Sequence, residues 1–320
     1  IPGLSDLPAY ERLAADPALS TRFFLYPTAD DWRAAAMGVQ WFEGRANWVQ
    51  VNGFKAYLDG TLGSRTAYMS EPFLPARDGS TTRGLLREGV EDGGFRTNAQ
   101  DARRAGVQVI AHAIGDAAND YFLDTLEEVY GTRGPDLRDA RARSEHAQHL
   151  SAAEIARFGS LGVIASMQPL HKADDGRYAE RAIGAERCRT SYAYRSLLDS
   201  GALVCFGSDW PVVSLNPFRG MASAVSGRTL DGKTFVPEQN ITIEEALTAY
   251  TSGAARASLD DPLGRISQGA LADFVILDRD ILSVPADQIA DTRVVATYVG
   301  GEVAYSAQKA EIATTVDESR

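Results

Sequence analysis

Apolar positions along the chain fall into short runs that stop at glycine, proline or a polar residue. Thr21–Tyr26 reads as a strand closed by Pro27. Residues 53–59, Gly-Phe-Lys-Ala-Tyr-Leu-Asp, read as another, ended by Gly60. Strand alternation gives that run an apolar face of Phe54, Ala56 and Leu58 and an opposite face of Lys55, Tyr57 and Asp59. Val107–Ile114, Ala142–Gln148, Gly162–Gln168 and Leu203–Asp209 follow the same pattern. Between these runs the period lengthens to that of a helix, over 5–18, 29–43, 97–105 and 190–200. A further helix starts at Asp116, a predicted N-cap, carries Ala118, Phe122, Leu126 and Val129 along one side and stops at Gly131. Ser151-Ala-Ala-Glu154 and Thr242-Ile-Glu-Glu245 are capping boxes, the second opening a helix that runs to about Ala257.

Residues 67–95, rich in Gly, Pro, Arg and Asp, predict a long loop able to cover a site. Past Pro262 the pattern becomes short strands, Asp273–Leu277, Val294–Val299 and Glu302–Tyr305, with a hairpin turn at Gly300–Gly301 and then a polar tail. This divides the chain into an α/β part over 1–262 and a small β module over 263–320. Strands near positions 23, 55, 110, 144, 165 and 206 alternating with helices predict parallel α/β architecture. An open doubly wound sheet and a (β/α) barrel both fit. The barrel is preferred because polar residues of functional type sit at the end of strand after strand, and barrel strand ends converge on one mouth.

Composition narrows the function classes. The net charge of −11 and the absence of a basic patch argue against nucleic-acid binding. No apolar run is long enough to span a bilayer, and no signal peptide is visible, so a cytoplasmic location is expected. Cys188 and Cys205 make neither a disulfide framework nor a metal motif. Of the 32 basic residues only Lys55, Lys172, Lys233 and Lys309 are lysines, which makes a lysine on the inner face of a strand more notable.

Lys55, His112, His146 and Asp209 each lie at or near the end of a different predicted strand. Two neutral imidazoles and a carboxylate suit Zn, Fe, Mn or Ni. A lysine ammonium has no lone pair, but a neutral amine that captures carbon dioxide becomes an anionic carbamate able to bridge two metals, and a low-dielectric interior favours that neutral amine. Taken singly, each residue has a plainer reading: a lysine stem reaching solvent, a hydrogen-bonded structural histidine, an aspartate capping a turn. His149 and His171 fall off the strand ends and are read as non-ligands, His171 in a polar loop with Lys172, Asp174 and Asp175.

Several stretches resemble one known family. They are Phe54-Lys-Ala-Tyr-Leu-Asp-Gly-Thr-Leu-Gly-Ser-Arg-Thr-Ala67, Ala111-His-Ala-Ile-Gly-Asp116, Ser144-Glu-His-Ala-Gln148, Ser166-Met-Gln-Pro-Leu-His171, Phe206-Gly-Ser-Asp-Trp-Pro-Val212 and Gly269-Ala-Leu-Ala-Asp-Phe-Val-Ile-Leu-Asp278. In this order they resemble the amidohydrolase superfamily, in the branch of amidohydrolase-3 or YtcJ-like metal-dependent hydrolases that includes N-substituted formamide deformylase. The resemblance implies a (β/α)8 TIM-type barrel, here about strands 3–8, with the C-terminal share of a small β-sandwich. It implies Lys55 as a carboxylated lysine, His112 and His146 as ligands from the fifth and sixth barrel strands, and Asp209 as the catalytic acid of the eighth, holding one or two divalent ions, zinc first. Gln168 and His171 match positions that face substrate, and Asp59 and Arg65 of the Asp-Gly-Thr-Leu-Gly-Ser-Arg run are placed with them.

The implied activity is hydrolysis of a non-peptide C–N bond in a small-molecule amide; ester or other carbonyl hydrolysis on the same site, and a non-catalytic or regulatory role, are the alternatives. One departure is large. The superfamily's first strand ends in His-X-His, and no histidine precedes His112 here. The resemblance therefore implies the C-terminal portion of a longer enzyme, whose partner is its own missing N-terminal segment, with homo-oligomerisation left open.

Overall fold

The computed structural model describes residues 2–38, 48–87, 89–132 and 135–308. Its centre is an all-parallel five-stranded sheet in chain order, formed by β3 (Gly53–Tyr57), β4 (Gln108–Ala113), β5 (Arg143–His146), β6 (Ile164–Met167) and β7 (Val204–Phe206). β1 (Phe23–Leu25) pairs in parallel with β2 (Val49–Val51), Phe23 opposite Val49. A bridge between Thr28 and Lys55 joins this pair to β3, with the register slipping by one residue across Asn52. Asn52 N donates to Leu25 O at 3.1 Å and Lys55 N to Pro27 O at 2.9 Å, so the chain carries its pairing through the slip. Six of these seven described strands stand where the sequence predicts six; β2, directly before β3, is the addition. Among the described residues, no helix is long and apolar enough to cross a membrane.

The two faces of the sheet carry different chemistry. Phe54, Ala56, Val109, Ala111, Ala165, Met167, Val204 and Phe206 belong to the main core, where helices Gly94–Ala105, Asp116–Tyr130, Ala152–Leu161 and Tyr194–Asp199 contribute Ala99, Phe122, Phe158 and Leu197. The intervening residues turn the other way. Ile164 and Cys205 form a small apolar cluster there with Ala257, and beside it lie the partly buried pair Arg143–Glu145 and the buried, inward Lys55. Burying charges costs free energy unless they are paired and hydrogen-bonded. Here Glu145 takes Arg143 on one oxygen and the Ser166 hydroxyl on the other at 2.7 Å, and Arg143 also donates to Ala257 O at 2.9 Å.

Helix boundaries shift at several ends: 5–18 is seen as Leu7–Ala15, 97–105 starts at Gly94, and 190–200 is seen as Tyr194–Asp199. Gly115, in extended backbone, takes the cap position expected of Asp116, whose Oδ1 accepts instead from Ser70 N and Ala117 N. The helix expected over 29–43 is seen as Trp32–Gly38, and 39–47 lies outside the described residues. The stretch after Pro169, expected as a polar loop, is a short helix, Pro169–Asp175, with proline in its first turn where a missing N–H costs nothing. Residues 67–87 form no helix or strand but fold back on themselves, Met69 N donating to Arg83 O and Phe73 N to Thr82 O, and bury Met69 and Phe73. A separate antiparallel sheet of β8 (Phe274–Leu277), β9 (Val294–Val299) and β10 (Glu302–Ser306) closes the described chain, tied to the strand side by a bidentate Arg22–Asp273 pair. The polar tail beyond 308 lies outside the described residues.

Candidate metal centre

Strand ends deliver the site. Lys55 points from β3 into the inner face and is 7% exposed. Burial pushes its amine below the ordinary lysine range, against the pull of the Glu145 and Asp209 carboxylates. His112, at the end of β4, has Nε2 2.9 Å from Gly60 O and 3.3 Å from Asp59 Oδ1. Both neighbours are acceptors, so Nε2 carries the hydrogen and Nδ1 keeps its lone pair. Asp59 has no exposed surface; its oxygens accept from the N–H groups of Ile114 (3.0 Å), Gly115 (2.9 Å) and Tyr68 (2.9 Å).

Simple alternation would send His146 to the helix side with Ser144. Its backbone is instead left-handed, φ 83°, followed by Ala147 at φ 42°, and the ring turns into the cavity. There it stands edge-on to His112, centroids 4.5 Å apart. Gln168 braces it: His146 Nδ1 is 2.8 Å from Gln168 Oε1, and Gln168 Nε2 donates to Ser166 O at 3.2 Å, which fixes the amide's orientation. Nδ1 therefore bears the proton and Nε2 offers a lone pair. Burial first, then the neighbouring His112, Lys55 and His171, holds this imidazole well below the ordinary histidine range.

His171 lies on helix Pro169–Asp175, its ring nearly parallel to His146, 14° between planes and 5.8 Å between centroids. Its Nε2 is buried without a hydrogen-bond partner, 3.9 Å from Asp209 Oδ2. Burial lowers its pKa, with Asp209 and Asp175 pulling the other way. The helix is pinned from beneath. Lys172 Nζ donates to Asn240 Oδ1 (2.9 Å) and Val236 O (3.3 Å). Asp175 accepts from Gln148 Nε2 (2.7 Å), Tyr192 OH (2.6 Å) and Tyr178 OH. Asp209 follows β7 in left-handed backbone, φ 53°, with 42% of its side chain exposed.

One ligand atom each from His146, His171 and Asp209 lies within 4.8 Å of the others. Lys55 and His112 line the same cavity of about 460 Å³. The geometry thus groups His171, read from the sequence as a non-ligand, with His146 and Asp209, while His112 stands outside that compact group. The signal for His171 was hidden because that residue comes from a helix rather than a strand end. Of the residues placed against substrate, only His171 lines the cavity. Asp59 is sealed beneath it, Gln168 braces His146, and Arg65 turns away to donate to Leu74 O and lie 5.2 Å over the Phe73 ring. His149 lines a separate pocket, its Nδ1 2.7 Å from Ser191 Oγ and its pKa lowered by burial to about 4.

The donor set fits a divalent ion on its own chemistry. Two neutral imidazoles with lone pairs available, one of them an orphaned buried Nε2, face a carboxylate, the mixed N/O set that suits first-row divalent metals.

Comparison with known proteins gives the family. The model of the family described as "Amidohydrolase family" matches residues 2–305. The chain is 40% identical to Protein LONG AFTER FAR-RED 3 of Arabidopsis thaliana, over 81% of this chain and 44% of that protein. It is 28% identical to the putative amidohydrolase YtcJ of Bacillus subtilis, over 93% of this chain and 54% of that protein, and 30% identical to N-substituted formamide deformylase of Arthrobacter pascens, over 64% and 38%. Among solved structures, an uncharacterized metal-dependent hydrolase from Pyrococcus horikoshii superposes with a TM-score of 0.76 at 30% identity, covering 89% of this chain and 56% of that one. One from Pyrococcus furiosus gives a TM-score of 0.74 at 30% identity, covering 88% and 55%. The chain spans about half the length of the curated relatives it matches. With the family model matched over nearly its whole length, the chain belongs to the amidohydrolase family.

Proposed function

We propose that this site is the metal centre of a hydrolase that cleaves a non-peptide C–N bond in a small amide, with zinc the first candidate ion. The observation that carries the reading is the compact group of His146, His171 and Asp209 at the cavity that Lys55 and His112 also line. Relatives named as N-substituted formamide deformylase and imidazolonepropionase support a carbon–nitrogen substrate.

A divalent ion at such a site supplies Lewis acidity, polarising a carbonyl and lowering the pKa of water. The chain's own residues do the rest. His146 and His112 hold fixed tautomers, each with one nitrogen committed to an acceptor and the other free. Asp209, partly exposed at the mouth, takes the proton of the attacking water at a carboxylate oxygen and returns it to the leaving nitrogen, acting as base and then acid. Lys55, desolvated, has an amine that can add carbon dioxide: an N–C bond forms, the amine loses a proton to solvent, and a carbamate results.

The test combines metal content with turnover on matched amides and esters. The protein, grown with metal supplied, should retain a divalent ion that Lys55→Ala and His171→Ala each weaken. Asp209→Asn should lower amide turnover by at least about a hundredfold while leaving thermal unfolding of the metal-free protein unchanged. Protein that retains no divalent ion, or near-normal turnover in Asp209→Asn, would overturn the proposal; faster ester than amide cleavage would move it to the ester reading.

A further inference from the structure

We infer that Asp175 is a positioning residue for the metal-binding group, setting His171 in register with His146. This rests on the reading of the site as a metal centre and says what keeps its two imidazoles together. His171 comes from helix Pro169–Asp175 and His146 from the end of β5, so contacts between these two segments must fix the spacing of the rings.

The helix is clamped to the chain leaving β5 at both ends. At its start, the N-cap residue Gln168 holds His146 Nδ1 at 2.8 Å. At its end, Asp175 Oδ2 accepts from Nε2 of Gln148, two residues past His146, at 2.7 Å. Tyr192 closes this second contact into a ring: its N–H donates to Gln148 O at 2.6 Å and its hydroxyl to Asp175 Oδ2 at 2.6 Å. All three residues are buried, so water competes little for these bonds. His171 lies four residues before Asp175 and therefore on the same side of the helix. A tilt at the Asp175 end would carry its ring away from His146, to which it now lies within 14° of parallel at 5.8 Å.

The helix has other anchors, and they lead elsewhere. Ser223 Oγ donates to Pro169 O at 2.8 Å, Leu230 N to Ala173 O at 2.9 Å and Lys172 Nζ to Asn240 Oδ1 at 2.9 Å. These hold the helix on the fold, whereas Gln168 and Asp175 set it against the chain that carries His146. Gln168 touches the ring itself. Asp175 is bonded to Gln148, Tyr192 and Tyr178, none of them a member of the compact donor group, so a change there probes position. An asparagine at 175 offers one acceptor where donors come to both oxygens, and its own N–H would face a donor in either orientation. Gln148→Met cuts the same link from the other side with an unbranched, adaptable side chain.

The experiment titrates cobalt(II) into the full chain, freed of metal beforehand, and records its visible absorption, which reports how donors stand around the ion. Asp175→Asn and Gln148→Met should each weaken cobalt binding about tenfold, the low end for a group that orients a metal-binding histidine. Each should also alter the absorption spectrum, while the far-ultraviolet spectrum of the metal-free protein stays as it was. Unaltered affinity in both variants, or weaker binding with the original absorption spectrum, would overturn the inference and leave the metal-centre reading standing. Loss of fold in both would overturn it as well, since Asp175 would then serve the core rather than the site. No cobalt binding by the unsubstituted protein would overturn the metal-centre reading and the inference with it.

Discussion

Asp59 accepts three backbone N–H bonds from Tyr68, Ile114 and Gly115 and still stands 3.3 Å from His112 Nε2. It ties the chain after β3 to the chain after β4 and fixes which nitrogen of His112 is free. In the sequence it reads as the third inward residue of a strand. The strand in fact ends at Tyr57, and the chain has turned by the time it reaches Asp59, which alternation cannot foresee. Asp59→Asn would set an amide N–H against donors. Its expected effect is a loss of metal affinity of up to roughly tenfold, passed on through the His112 ring that stands edge-on to His146 and read by metal titration; unchanged affinity would count against the role.

Lys172 gives a second test. Burial lowers its pKa to about 7, with the Glu238 carboxylate opposing the shift. Unfolded lysine binds its proton up to about pH 10.4, so between these values the unfolded state holds more protons and stability should rise as pH rises from 7 toward 10. Lys172→Met should flatten that slope in denaturant titrations at stepped pH. An unaltered slope would mean that the lysine does not titrate in this window.

At the scale of elements, local signals were reliable where they close within four residues. Ser151 caps helix Ala152–Leu161 as its capping box predicts, Glu154 N donating to Ser151 Oγ and Glu154 Oε2 accepting from Ser151 N. Ser151→Ala should cost about 0.5–2 kcal/mol, seen as a lower unfolding midpoint with the far-ultraviolet spectrum retained; an unchanged midpoint would show that the cap is redundant. Signals that depend on distant contact were not legible. Gly115 in the Ala-Ile-Gly-Asp run looks like ordinary turn punctuation, yet a Cβ there would meet Tyr68 O at 1.9 Å. Helix Pro169–Asp175 gave no strong periodic cue because it is short, and Lys172 and Asp175, which anchor it, look from the sequence like a solvated charge run.

For the whole molecule, the alternation of strand and helix was enough to predict six parallel strands in order, since each strand buries an apolar face against helices while the opposite face alternates out of phase with it. Four cavity residues, Lys55, His112, His146 and Asp209, could be read because parallel strands bring their C-terminal ends together. His171 could be read only as a substrate-facing position implied by the resemblance, not as a member of the compact donor group, since nothing in a linear pattern says which loop folds over the mouth. If the site holds a divalent ion only when folded, metal and stability are linked. Ion at about a hundred times its dissociation constant should add roughly 2.7 kcal/mol, and chelation should lower the melting temperature correspondingly in scanning fluorimetry. A midpoint indifferent to both metal and chelator would argue that no ion is held.

The left-handed backbone at Asp209 also governs how the chemistry can be dissected. Aspartate and asparagine tolerate that conformation better than most side chains, because a short polar group can hydrogen-bond locally. Alanine or glutamate at 209 would disturb the path of the main chain together with the proton carrier, and a loss of rate would then have two causes that kinetics cannot separate. Among replacements that remove the charge, asparagine separates the loss of the carboxylate from the shape of the loop that presents it.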